Sequence, residues 1–183
     1  RGGLKLQAIF DHFDFCVKGL ICLDVGASTG GFTDCLLHHG AKRVYTVDVG
    51  YGQLAWKLRQ DPRVVTIERT NIRYLNPEKI PDPIDVITID TSFISLKLVV
   101  PAALKFLKNG GSVITLIKPQ FEVGKGKVGK GGIVKDPALH EAVLSDLSSF
   151  FKKIGLELGP AIPSPILGPK GNQEFIMTLK SKS

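Results

Sequence analysis

Leu20-Ile21-Cys22-Leu23-Asp24-Val25-Gly26-Ala27-Ser28-Thr29-Gly30-Gly31 is the stretch on which the reading of this chain turns. Its first six residues are apolar except for Asp24, the pattern of a strand buried on both faces, and Gly26 stops the run. A segment of helical period follows from about Gly30 to His39 and closes at Gly40, a natural left-handed cap. A buried strand that runs through a glycine turn into a helix begins a βαβ unit, and such units build a parallel sheet between layers of helices.

The rest of the chain continues that alternation. Strands are predicted at Arg43 to Asp48, Val64 to Ile67, Ile84 to Asp90 and Ser112 to Ile117, with helices at Gln53 to Arg59 and Leu96 to Leu107. Pro101 is expected to start or bend the second of these helices. Asn109-Gly110-Gly111 reads as a turn, and Gln120 to Lys135, rich in glycine and lysine and without period, reads as a mobile loop. Asp136-Pro137 is an N-cap followed by proline at the first helical position. Leu139, Val143, Leu144, Leu147, Phe150, Phe151 and Ile154 give the following helix one apolar face, and Gly155 ends it. Two closing strands, Leu156 to Ser164 and Gln173 to Leu179, leave no room for a helix between them and are expected to pair as an antiparallel hairpin. The predicted fold is therefore α/β: a mostly parallel seven-stranded sheet with a C-terminal antiparallel hairpin and helices on both faces. This Rossmann-like arrangement is typical of S-adenosylmethionine-dependent methyltransferases.

The chain has 183 residues, the size of a single domain. A hydrophobic fraction of 43% and a charged fraction of 22% exclude a disordered polymer and a disulfide-stapled miniprotein. The net charge of +7 suits a polyanionic partner such as nucleic acid. It is concentrated: eight lysines and the single acid Glu122 lie between Lys97 and Lys135. Three cysteines in no zinc-binding spacing predict a reducing, cytoplasmic compartment and no metal site. No apolar run is long enough to span a bilayer, and RGGLKLQAIF lacks the features of a signal peptide. Met177 is the only methionine, so a segment upstream of Arg1 is expected.

Ligands of open α/β sheets sit beyond the carboxyl ends of the strands, so the candidates are read there. Asp24, Gly26, Ala27, Ser28, Thr29 and Gly30, with Phe32 behind them, form a D-x-G-x-x-x-G loop with a helix amino terminus at its end. The loop differs from the dinucleotide fingerprint G-x-G-x-x-G, because Ala27 and Ser28 stand where its second glycine would be. Asp48 ends the second predicted strand 22 residues after Gly26, where a carboxylate accepts hydrogen bonds from ribose hydroxyls; NAD and S-adenosylmethionine both present that diol. Asn71 either reads an adenine edge with its amide or forms a turn. Gly124 to Gly131 matches G-x-x-x-x-G-K but has Gly131 in place of the magnesium-binding Ser or Thr, which excludes a P-loop triphosphatase. Lys125, Lys127 and Lys130 in this stretch suit contacts to an RNA phosphate backbone.

Five motifs in register carry a family resemblance. They are Arg1-Gly2-Gly3-Leu4-Lys5-Leu6, Leu23 to Thr33, Asp90-Thr91-Ser92-Phe93-Ile94-Ser95-Leu96, Lys118-Pro119-Gln120-Phe121-Glu122 and Gly171-Asn172-Gln173-Glu174-Phe175. Together they resemble the hemolysin A (TlyA-type) branch of the FtsJ-like RNA methyltransferases over essentially the whole chain. The resemblance implies S-adenosylmethionine as cofactor, ribosomal RNA or ribosomal subunits as partner with a cytidine as the usual target, and a small RNA-binding domain ahead of the catalytic one. It also implies a Lys-Asp-Lys-Glu tetrad for ribose 2′-O-methylation, matched here by Lys5, Asp90, Lys118 and Glu174. A ribose hydroxyl is a very weak acid and needs a basic or polarising group beside the oxygen. Lys118 is the candidate, either as base or as a retained charge that stabilises the developing alkoxide. Asp90 is expected to face the methionine amino group as well. Taken alone, Lys5 and Glu174 would read as a structural salt bridge. The competing readings are a membrane-active hemolysin, a noncatalytic RNA-binding module in ribosome assembly and an NAD-dependent reductase. The apolar face of the helix after Asp136 is needed to cover the sheet, which leaves none for a membrane.

Overall fold

Seven strands and five helices alternate along the chain in the computed structural model, which describes residues 2–183; Arg1, the first residue of the first motif, lies outside them. The strands are β1 (Ile21–Val25), β2 (Arg43–Val47), β3 (Val64–Ile67), β4 (Ile84–Ile89), β5 (Leu107–Ile117), β6 (Leu156–Pro163) and β7 (Phe175–Ser181). The helices are α1 (Gly2–His12), α2 (Gly31–His38), α3 (Trp56–Arg59), α4 (Leu96–Leu104) and α5 (Pro137–Lys153). The sheet order is β3-β2-β1-β4-β5-β7-β6. The first five strands pair in parallel, and β7 inserts antiparallel between β5 and β6. The expected seven-stranded sheet with its closing antiparallel hairpin is present.

Each sheet face carries its own core, as alternating side chains on doubly covered strands require. Leu23, Ile87, Val113 and Ile117 pack in one cluster with Val99 and Val100 of α4 and Val143, Leu147 and Phe151 of α5. Cys22, Val86, Ile114 and Leu116 pack in the other with Leu6 and Ile9 of α1, Leu36 of α2 and Leu58 of α3. The apolar stripe of α5 is thus spent on the sheet. Among the described residues, no helix is long and apolar enough to cross a membrane.

Three features depart from the sequence reading. The amino-terminal segment is a helix whose two leading glycines give no helical signal; it docks on α2 through glycine, with Gly31 so close that a Cβ there would lie 2.8 Å from Gly3 N. Asn109-Gly110-Gly111 is a bulge within β5 instead of a turn before it. The register jumps from Ile84–Leu107 to Val86–Ser112, and Gly110 N donates to Lys182 O at 3.2 Å, so the bulged residues stay tied to the carboxyl terminus. The glycine- and lysine-rich segment read as a mobile loop is shaped at both ends by 3-10 turns, Pro119–Phe121 and Lys130–Gly132, and its far end is pinned through buried Val134.

Candidate active site

Gly26, Asp48, Asp90 and Lys118 immediately follow β1, β2, β4 and β5, so the parallel strands deliver them to one edge of the sheet. Glu174 immediately precedes β7, and because that strand runs the other way its first residue reaches the same edge. Lys5 arrives from α1. Six remote pieces of sequence are thereby gathered above one sheet.

A cavity of about 510 Å³ opens over β1, β2 and β4, walled by Gly26, Ser28, Asp48, Asn71 and Asp90 among others. A smaller one of about 120 Å³ adjoins it, walled by Ala27, Thr29, Phe32 and again Asp90. Gly26 makes this shape possible: its φ is +80°, and a Cβ there would sit 2.4 Å from the carbonyl oxygen of Asp90. Asp48 is held by two backbone donors, Ser28 N to Oδ2 at 2.7 Å and Gly50 N to Oδ1 at 2.8 Å. Each carboxylate oxygen keeps a lone pair for a further donor. Asn71 does cap a turn, accepting from Arg73 N at 3.0 Å, and its amide donors are left for the cavity it lines. The cradle and the carboxylate suit an adenosine with a free ribose diol, and so fit S-adenosylmethionine.

Two residues predicted to touch the cofactor lie behind the wall instead. Gly30 caps α2 in the left-handed region and abuts Leu58 and Leu54, where any Cβ would collide. Asp24 is 0% exposed, accepting from Thr33 Oγ1 at 2.7 Å and Thr88 Oγ1 at 3.0 Å. Burial raises its carboxyl from 3.8 to about 7; the two threonine hydroxyls oppose the rise and the charge of Asp90 adds to it. The folded state therefore keeps a proton that the unfolded chain releases, and stability falls as pH climbs from about 4 to about 7, then levels. Asp24→Asn removes this dependence. In urea unfolding, the variant should gain about 2–3 kcal/mol on the native protein between pH 5 and pH 8. A pH-independent difference would contradict the burial described.

The predicted tetrad forms two ion pairs. Lys118 Nζ lies 2.6 Å from Asp90 Oδ1 and donates to Ser92 Oγ at 3.1 Å. The Lys118–Asp90 approach is an ion pair without hydrogen-bond alignment, so Asp90 Oδ1 keeps no aligned donor. Lys5 Nζ donates to Glu174 Oε2 at 2.5 Å in a pair shut away from solvent, and Glu174 Oε1 is buried without a partner. Lys118 and Glu174 share the wall of a third cavity, of about 290 Å³, with Ser92, Phe93 and Gln120. Ser92 and Phe93 also border the 510 Å³ cavity, so the two spaces adjoin at the Asp90–Phe93 turn. Phe93 is 89% exposed, holds φ at +63° and rests on Phe121 with ring centres 4.8 Å apart. The sequence motif around Ser92 and Phe93 shows no role for them, because the strained turn that aims them leaves no trace in periodicity.

The loop carrying Lys125, Lys127 and Lys130 runs along the third cavity, which Val128 and Gly132 help to wall, and all three lysines are exposed. Glu122 anchors the near end of this loop to the start of α4, accepting from Ser95 Oγ at 2.7 Å and Leu96 N at 2.8 Å. Burial raises its carboxyl, against the pull of those two donors.

The FtsJ-like methyltransferase family model matches residues 1–181. The chain is 46% identical over 183 residues to the 16S/23S rRNA (cytidine-2′-O)-methyltransferase TlyA of Mycobacterium tuberculosis, covering 100% of this chain and 68% of that protein. It is 49% identical over 177 residues to Hemolysin A of Brachyspira hyodysenteriae, covering 96% and 74%. A solved structure from Streptococcus thermophilus superimposes with a TM-score of 0.96 at 46% identity, covering 100% of this chain and 66% of that one. S-adenosylmethionine-dependent methyltransferases of much lower identity share the fold alone. The chain spans 64% to 74% of the lengths of the curated relatives it matches. With strand order, strand-end residues and motifs agreeing along its length, the chain belongs to the FtsJ-like methyltransferase family.

Proposed function

We propose that residues 1–183 are the catalytic domain of an S-adenosylmethionine-dependent RNA (ribose-2′-O)-methyltransferase acting on ribosomal RNA, with cytidine as the target. The observation that carries this reading is the adjacency of two cavities across Ser92 and Phe93, one shaped for an adenosine and the other holding Lys118 and Glu174. When bound, S-adenosylmethionine supplies an electrophilic methyl group. Asp48 would hold the ribose diol, the Gly26–Thr29 loop would leave room for the chain that bears the methyl, and Asp90 would meet the amino group of that chain.

Lys118 does its work on the acceptor side. Its Nζ, fixed by Asp90 and Ser92, either acts as a neutral amine and takes the proton of the acceptor 2′-hydroxyl or, as an ammonium, holds the oxygen as charge develops on it while the proton leaves to solvent. Glu174, fixed by Lys5, walls the same cavity and would set its negative charge beside the acceptor hydroxyl. Phe93 offers an exposed ring beside this cavity, the kind of surface on which an unstacked base rests. Lys125, Lys127 and Lys130 would hold the RNA backbone without reading its sequence. The substrate places the reaction in the cytoplasm, and a small RNA-binding domain ahead of this chain would add affinity for the ribosome.

Calorimetric titration tests the cofactor half of this reading. The chain is expected to bind S-adenosylmethionine and S-adenosylhomocysteine but not NAD, and Asp48→Ala should weaken binding about tenfold or more, as expected for loss of charge-assisted hydrogen bonds. Selective binding of NAD would overturn the assignment in favour of a reductase.

A further inference from the structure

Asn172, on the wall of the third cavity, bonds to both segments that line it. It is 2% exposed. Its Oδ1 accepts from Val134 N at 3.0 Å, and its Nδ2 donates to Gly132 O at 2.9 Å. Its own carbonyl accepts from Gly168 N at 2.8 Å. One carboxamide thus satisfies a donor and an acceptor on a segment 38 to 40 residues away, the double bonding by which backbones pair.

What it joins are the two halves of the site. On one side is the far end of the lysine loop, where Gly131 and Gly132 both adopt left-handed φ, at +78° and +81°. Two such glycines in succession hold a defined turn only if something fixes them, because glycine loses the most freedom on ordering. His140 adds a grip on the same segment through Nε2 and Val134 O at 2.8 Å. On the other side is the turn before β7, where Lys170 is itself left-handed at φ +62° and Glu174 lies two residues beyond Asn172. Val128 and Gly132 from the first side, and Lys170 and Glu174 from the second, wall the same 290 Å³ cavity.

We propose that Asn172 is a positioning residue for methyl transfer: it clamps the lysine loop to the turn that carries Glu174, so that RNA held by the loop is held in register with the catalytic carboxylate. The proposal rests on the function proposed above. It follows from the geometry that Lys125, Lys127 and Lys130 contribute to the rate through Asn172, since without the clamp the loop can grip RNA at positions unrelated to Glu174. A residue that served folding alone would produce no such dependence.

The test is a double-mutant cycle read as single-turnover methyl transfer to ribosomal subunits. The native protein is measured first, followed by Asn172→Ala, the triple variant Lys125→Ala/Lys127→Ala/Lys130→Ala, and their combination. Asn172→Ala should slow transfer about tenfold, the effect of losing buried hydrogen bonds, with the cofactor titration unchanged. The lysine substitutions should slow the native protein about tenfold or more and the Asn172→Ala protein less than about threefold. Asn172→Asp keeps the acceptor for Val134 N, loses the donor to Gly132 O, and carries the same cycle should the alanine variant fail to fold. Additive effects, or a loss of cofactor affinity as large as the loss of rate, would overturn the proposal while leaving the function standing. Failure of the native protein to methylate either subunit would overturn the function, and the proposal with it.

Discussion

Lys118→Ala should reduce methyl transfer about a thousandfold while leaving S-adenosylmethionine affinity within a few-fold of the native value, the range typical of loss of a general base or of an electrostatic stabiliser. The separation of effects is built into the cavities. Lys118 lines the third cavity and neither of the two that would hold the cofactor, whereas its partner Asp90 lines both of those. Asp90→Asn should therefore weaken binding and slow transfer together, and the contrast between the two variants is more telling than either alone. Lys118→Arg should not restore the rate. A planar guanidinium would take Asp90 in a forked geometry and could not place a single compact charge where Nζ now sits between Asp90 and Ser92. Rates of transfer under saturating cofactor, measured beside the calorimetric titration, separate the two effects. Unchanged transfer by Lys118→Ala would remove it from the chemistry.

The second large effect is on stability. Glu174 is 0% exposed and Lys5 is buried beside it, so Glu174→Ala leaves a largely buried ammonium without a counter-charge. Removing one member of a buried pair costs about 3–5 kcal/mol, equivalent to a fall of about 10 °C or more in melting temperature for a domain of this size. Replacing both partners by apolar residues, Lys5→Met with Glu174→Leu, should recover most of that loss, because no charge is then left in the interior. The double variant should still be inactive. Recovery of stability without activity assigns the pair to function; a single variant that melts with the native protein would mean that the pair is not buried as described.

Much of this arrangement was legible because the strands of a parallel sheet are nearly continuous apolar runs. Ile21–Val25, Val64–Ile67 and Ile84–Ile89 were located to within a residue, and with them the strand-end positions of Gly26, Asp48 and Asp90. What escaped was set by contacts between distant residues. α1 begins with two glycines, poor helix formers, and is held by tertiary contacts: those glycines dock closely on Gly31, and Leu6 and Ile9 enter the core. The bulge at Asn109–Gly111 has the composition of a turn; the pairing of β5 with β4 on both sides of it and the bond from Gly110 to Lys182 show that the strand continues through it. Asp24 and Gly30 lie in the right loop, yet whether a loop residue faces the ligand or the core depends on the neighbours above it, here Thr33, Thr88, Leu54 and Leu58. The pairing of Lys5 with Glu174 spans 169 residues, and no local pattern encodes it. The tetrad was readable only through the family resemblance.

The proposed reaction transfers a methyl group to a ribose hydroxyl of ribosomal RNA. The most direct test incubates the protein with separate small and large ribosomal subunits and S-adenosylmethionine labelled in its methyl group, digests the RNA to nucleosides and identifies the labelled product. The expected product is 2′-O-methylcytidine from one or both subunits, lost with Lys118→Ala. Label recovered on a base, or on no nucleoside at all while the cofactor still binds, would contradict it.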